Sequence, residues 1–222
     1  MDLDDRWQLA AVRQMRGVAF RHADPPDSRR ALADFERAMR GYLRAGDAMH
    51  ANNARFMMAY AAADDGLERK RATVWADECA DYARSTDNVH ELAHARLVQG
   101  MLRSDDHGRA DDLDELDDLV ATFRGLGDLR CVTRSLVLRS RREPPPARVP
   151  LLEQALAVAD AAGDRTNQVT VLTRLVDAHW ARGDRMATLG ALERLADLAG
   201  ADAARAACPP ELVDDFTATA AR

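Results

Sequence analysis

Four short breaker phrases recur along this chain at nearly constant spacing. Gly46-Asp47, Thr86-Asp87, Gly127-Asp128 and Gly163-Asp164 are separated by 40, 41 and 36 residues. A second set falls between them: Asp64-Asp65-Gly66, Asp105-Asp106-His107-Gly108, Pro144-Pro145-Pro146 and Gly183-Asp184. Two breaks per period leave room for two helices per period. A pair of short helices cannot bury its apolar stripe alone and must stack on its neighbours, which is the logic of an α-helical solenoid. The expectation is an all-α chain of about five helix pairs, at residues 3–45, 48–84, 88–125, 129–162 and 165–199, with a capping helix over 211–220, in one domain spanning 1–222.

The segments between breakers carry apolar residues at helical period. Leu32, Phe35, Met39 and Tyr42 form one stripe, behind a predicted cap at Asp27 or Ser28. Trp75, Cys79 and Tyr82 form another, as do Leu113, Leu116, Leu119 and Phe123, then Leu152, Leu156 and Ala159, then Leu172, Leu175 and His179, then Leu189, Leu192 and Leu195. The triple proline predicts a late start for the eighth helix, near Val149. No apolar/polar alternation persists between turn signals, so no strand is expected.

Composition narrows the function classes. Aromatic residues are only 5% while apolar residues are 47%, so Ala and Leu carry much of the core and allow helices to approach closely. Net charge is −6 with the two signs interspersed, which argues against general nucleic-acid binding. Lys70 is the one lysine among 31 basic residues, a bias expected of a GC-rich bacterial genome. Cys79, Cys131 and Cys208 are too sparse for a disulfide framework, which fits a cytoplasmic chain. No apolar stretch is long enough for a membrane span. No cofactor-binding phosphate loop or nucleophile elbow is present.

The last repeat resembles a tetratricopeptide repeat. The residues are Leu172-Thr173-Arg174-Leu175-Val176-Asp177-Ala178-His179-Trp180-Ala181-Arg182-Gly183-Asp184, followed by Leu189 and Leu192-Glu193-Arg194-Leu195-Ala196. Ala155 to Asp164 is similar to another second helix and its exit. The period here exceeds the family's 34 residues or so, His179 stands where the family has an aromatic, and Thr188 where it has a small Ala. The longer variety is typical of helical-repeat domains attached to large bacterial transcription regulators. The resemblance implies a right-handed α–α superhelix that binds a protein or peptide along the face lined by the first helix of each pair. The family's register puts Gln99, Arg103, Thr173, Asp177 and Trp180 on that face. Self-association is compatible with it, and a small-molecule sensor using the superhelix interior is an alternative.

One motif points to different chemistry. His90-Glu91-Leu92-Ala93-His94 matches H-E-x-x-H, in which two His one turn apart ligate zinc and Glu acts as general base. Against a zinc hydrolase stand the absence of an expected sheet and the register: His90 falls three residues after Thr86-Asp87, as His50 does after Gly46-Asp47. The reading preferred is a non-enzymatic chain without metal, with His90 and His94 as the metal-ligating alternative. The acidic run Asp111–Asp118 reads as a solvated face near a helix N-terminus. Arg134, Arg139, Arg141, Arg142 and Arg148 read as a solvated helix end, with anion docking the alternative.

Overall fold

The computed structural model describes residues 3–23, 26–103 and 110–220. Among the described residues there is no strand. The elements are α1 (Leu3–Arg21), α2 (Ser28–Arg44), α3 (Ala48–Asp64), α4 (Arg69–Ser85), α5 (Val89–Leu102), α6 (Ala110–Leu126), α7 (Leu129–Arg142), α8 (Pro145–Ala161), α9 (Arg165–Ala181), α10 (Arg185–Ala199), α11 (Ala201–Ala207), a 3-10 turn (Pro210–Leu212) and α12 (Val213–Ala220). The chain divides into two compact units, Met1–Ser104 and Asp105–Arg222. The predicted breaks at Asp24-Pro25 and Asp105–Gly108 lie outside the described residues.

The predicted helices form, and one local device ends five of them. At Gly46, Asp87, Gly127, Gly163 and Gly183 the backbone is left-handed. The next residue, Asp47, Asn88, Asp128, Asp164 or Asp184, donates its amide to a carbonyl five residues back, on Tyr42, Ala83, Phe123, Ala159 and His179 respectively. That is a Schellman ending. The same residue then caps the next helix: its side chain accepts the amide of His50, Glu91, Cys131, Asn167 or Ala187 at 3.0–3.1 Å. Two consecutive residues thus close one helix and open another.

This geometry corrects the sequence register. The second phrase is Asp87-Asn88, not Thr86-Asp87, because Asp87 takes the left-handed position at φ 50° and Asn88 the cap. His50 therefore corresponds to Glu91 and not to His90.

In the first unit each helix packs on the next, and α3 also packs directly on α5. Hydrogen bonds set α1 beside α3 in parallel register: Trp7 Nε1 to Asp47 (2.8 Å), Gln14 to Asn53 (2.6 Å) and Arg21 to Asp64 (2.5 Å). Asn52 to Glu91 (3.0 Å) and the Phe56–His94 ring contact continue that order onto α5. The core runs through Phe35, Met58, Trp75, Val98 and many alanines. Close approach of α1 and α2 requires Gly17 and Gly41. A Cβ on Gly17 would lie 2.6 Å from the Phe35 ring, and one on Gly41 2.8 Å from the Ala10 Cβ. Asp34, buried on α2, is held by Arg16 of α1 at 2.5 and 2.7 Å.

The second unit repeats the plan. From α6 to α11 consecutive helices pack, α7 also packs on α9 and α9 on α11, and α12 packs on α10. Asp164 receives Arg130 Nε of α7 at 3.0 Å, as Asp47 receives Trp7 of α1. In both cases the same carboxylate oxygen also meets a ring or amide nitrogen three residues on: Nδ1 of His50 at 2.6 Å, Nδ2 of Asn167 at 3.0 Å.

Two predictions are corrected here. α8 begins at Pro145 rather than Val149: prolines at the first helical positions lack only amides that would have no partner there, and their fixed φ suits the helix. α11 was not anticipated. It starts straight after Gly200, whose φ of 94° separates it from α10. The expected cap over 211–220 is a 3-10 turn followed by α12, with Arg185 of α10 paired to Asp215.

Candidate functional site

The five residues expected on the binding face fall into two groups, one in each unit. Thr173, Asp177 and Trp180 lie at i, i+4 and i+7 on α9, so they share one stripe. The opposite stripe, Val171, Leu172, Leu175 and Val176, is core. Thr173 is half-buried and its hydroxyl donates to the Val169 carbonyl at 3.0 Å. Asp177 is exposed and Trp180 is partly buried. Its carbonyl accepts the Gly183 amide at 2.9 Å, which ties the helix end beneath the ring to the turn. Beside it, Nδ1 of His179 is buried with no hydrogen-bond partner.

Gln99 and Arg103 lie at the end of α5. With Thr73, Asp77 and Leu102 they line a cavity of about 290 Å³ between α4 and α5. Gln99 Nε2 donates to Asp77 Oδ1 at 2.7 Å, so its amide is turned towards α4. Arg69, at the first position of α4, donates to the Leu102 carbonyl at the end of α5. Sequence periodicity had no means of singling out Thr73 and Asp77, because exposed polar positions on an amphipathic helix look alike.

A larger cavity, about 470 Å³, lies between α2 and α4 over Met58 of α3. Leu32, Leu67 and Trp75 provide its apolar wall. Its rim is a closed ion network: Arg71 pairs with Glu68 (2.7 Å) and Glu36 (3.3 Å) and lies over the Trp75 ring at 4.7 Å. Glu68 itself is left-handed, at φ 45°.

On α5 the two histidine rings of the H-E-x-x-H string stand together, with centroids 4.3 Å apart. His90 is exposed, while the half-buried His94 meets the Phe56 ring at 5.3 Å. Glu91 does not share their surroundings. Its amide is capped by Asn88 and its carboxylate accepts from the buried Asn52 of α3.

The arginine stretch is not a solvated helix end, which corrects the sequence reading. α7 is buried along most of its surface, including Thr133, Ser135, Ser140 and Arg142. Arg139 reaches Asp117 of the acidic run at 3.0 Å and pairs with Glu143, and Arg148 donates to the Glu143 carbonyl at 2.9 Å. Burial pushes the Cys79 and Cys131 thiols up to about 12, so neither is a thiolate near neutral pH.

No protein-family model matches the chain, and no curated protein is significantly similar to it. No helix among the described residues is long and apolar enough to cross a membrane.

Proposed function

We propose that the chain is a tetratricopeptide-like scaffold that binds a protein or peptide, a non-enzymatic regulatory module of a bacterial cytoplasm. The observation that carries this reading is the alignment of alternate helices. α1, α3 and α5, and in the second unit α7 and α9, run side by side; α1–α3 and α7–α9 are tied at the equivalent cap carboxylates Asp47 and Asp164, and α3–α5 by Asn52 to Glu91. A right-handed α–α superhelix is built from such units, and its aligned first helices make a broad surface suited to an extended partner. On α9 that surface would present Asp177 as a charge and Trp180 as an aromatic anchor of the kind that dominates binding energy.

The test is selection of peptides from a random display library on the purified chain. Trp180→Ala is expected to weaken the selected peptides about tenfold or more, with an unchanged circular dichroism spectrum. A folded Trp180→Ala protein that binds as the parent does would refute the site. A library that yields no binder would refute the reading itself.

The 470 Å³ cavity favours a second reading, a small-molecule sensor, since its size is that of ligand pockets. It stands behind the first because the Arg71, Glu36 and Glu68 charges on its rim already satisfy one another. Ligand-dependent thermal shifts, lost in Trp75→Ala, would reverse the order.

A further inference from the structure

We infer that His90 and His94 chelate a divalent late transition-metal ion on α5. The site is independent of the peptide-binding reading and uses neither the α9 stripe nor a cavity. Residues four apart on a helix stand one above the other, so an i, i+4 histidine pair points both rings the same way. Here the centroids are 4.3 Å apart with the planes inclined at 60°. Two metal–nitrogen bonds of about 2.0–2.1 Å at a tetrahedral angle place the two nitrogens about 3.3 Å apart. Rings this close reach that separation by small rotations about the side-chain bonds, with no movement of the helix.

One further feature pre-arranges the pair, and another keeps the Glu91 carboxylate out of it. The Phe56 ring beside His94 limits the orientations of that imidazole, which lowers the entropy lost when a metal fixes it. Glu91, between the two histidines in sequence, is held by Asn52 at 3.0 Å and by the Asn88 cap of its own amide. That tether directs the carboxylate towards α3 and away from the pair. The arrangement therefore suits holding a metal rather than activating a metal-bound water. The remaining coordination positions would be filled by water or by carboxylate oxygen.

The ligand chemistry selects the ion. Two neutral imidazoles suit Zn²⁺, Ni²⁺ and Cu²⁺ and are poor ligands for Mg²⁺ or Ca²⁺, which demand oxygen. Chelation makes the pair stronger than either ring alone, because the second bond forms at high effective concentration. Loss of one ring should remove most of the affinity rather than half.

The experiment is calorimetric titration of the metal-free full chain with ZnCl₂ and NiCl₂ in a buffer that does not coordinate metals. The expected result is one site per chain. His90→Ala and His94→Ala should each weaken binding at least about tenfold, while His50→Ala leaves it unchanged and MgCl₂ gives no heat of binding. Folding of each variant is checked by circular dichroism. His94→Gln serves as a second variant should His94→Ala disturb the Phe56 contact. Binding that survives folded His90→Ala and His94→Gln proteins, or that His50→Ala weakens equally, would overturn the site and mark an adventitious ion only. Titrations that show no zinc or nickel binding would overturn it as well.

Discussion

Asp47 joins several structural tasks in one carboxylate. One oxygen caps α3 through the His50 amide; the other receives Trp7 of α1 at 2.8 Å and the His50 ring at 2.6 Å. Asp47→Ala should therefore cost at least the about 1–2 kcal/mol of a strong cap, and Asp47→Asn, which keeps the capping oxygen, should recover much of it; urea denaturation midpoints measure both. Acid tests the same residues. Asp34 is held below the ordinary carboxylate range first by its hydrogen bonds to Arg16, and Asp47 by the His50 amide. Because both folded values are depressed, the stability they contribute is complete above about pH 4 and is lost as pH falls through the folded values. Denaturant midpoints followed from pH 6 to pH 2.5 should drop in that window, and Asp34→Asn should show a smaller drop from a lower starting point. Equal slopes for parent and variant would show that the Arg16–Asp34 pair contributes nothing.

Among the elements, α1 and α8 show how packing and propensity compete. Gly17 is a poor helix former, by about 1 kcal/mol relative to Ala, yet the buried Phe35 ring and the Ala31 carbonyl leave no room for a Cβ. Overpacking costs about 1–3 kcal/mol, so Gly17→Ala should be net destabilising, by roughly 1 kcal/mol. A gain in melting temperature would mean that Phe35 yields and that the α1–α2 contact is looser than the geometry shows. Pro150 is the opposite case. It sits inside α8, where it removes one helical hydrogen bond, and it is exposed. Pro150→Ala should raise stability by about 1 kcal/mol, less than the mid-helix value because the site is only in the second turn. The arginines of α7 belong here too. Their sequence reads as a polar helix end, but α6 supplies Asp117 and α7 is enclosed by α6, α8 and α9.

At the scale of the molecule, each unit is an ordered stack in which helices up to α11 touch their sequence neighbours within the unit and α3, α7, α9 and α10 also touch the helix after next. The proposed partner binding across α9 should have separable parts: a desolvated aromatic contact at Trp180 and an electrostatic one at Asp177. Asp177→Ala should leave folding unchanged and make binding of a basic selected peptide less sensitive to salt. The affinity slope against NaCl concentration measures this. An unchanged slope would place the partner's charges elsewhere.

Most helix boundaries were legible because they are local chemistry. A left-handed Gly followed by an Asp cap is written in two residues and needs no tertiary partner, which is why Gly46-Asp47, Gly127-Asp128, Gly163-Asp164 and Gly183-Asp184 located helix ends so closely. Where Asp87 replaced Gly, the same turn was misread by one residue, since Asp is a better-known cap than a left-handed residue. The site was much less legible. The register of the resembled family put Thr173, Asp177 and Trp180 on one face, but whether a ring is core or surface depends on what packs over it. Only the folded chain joined Gln99 to Asp77, turned Glu91 towards Asn52 and away from a catalytic role beside its histidines, and buried the arginine-rich helix against the acidic one. Local turn geometry is set by neighbours in sequence, whereas burial and pairing are set by residues 20 to 40 positions away, which no period of hydrophobicity specifies.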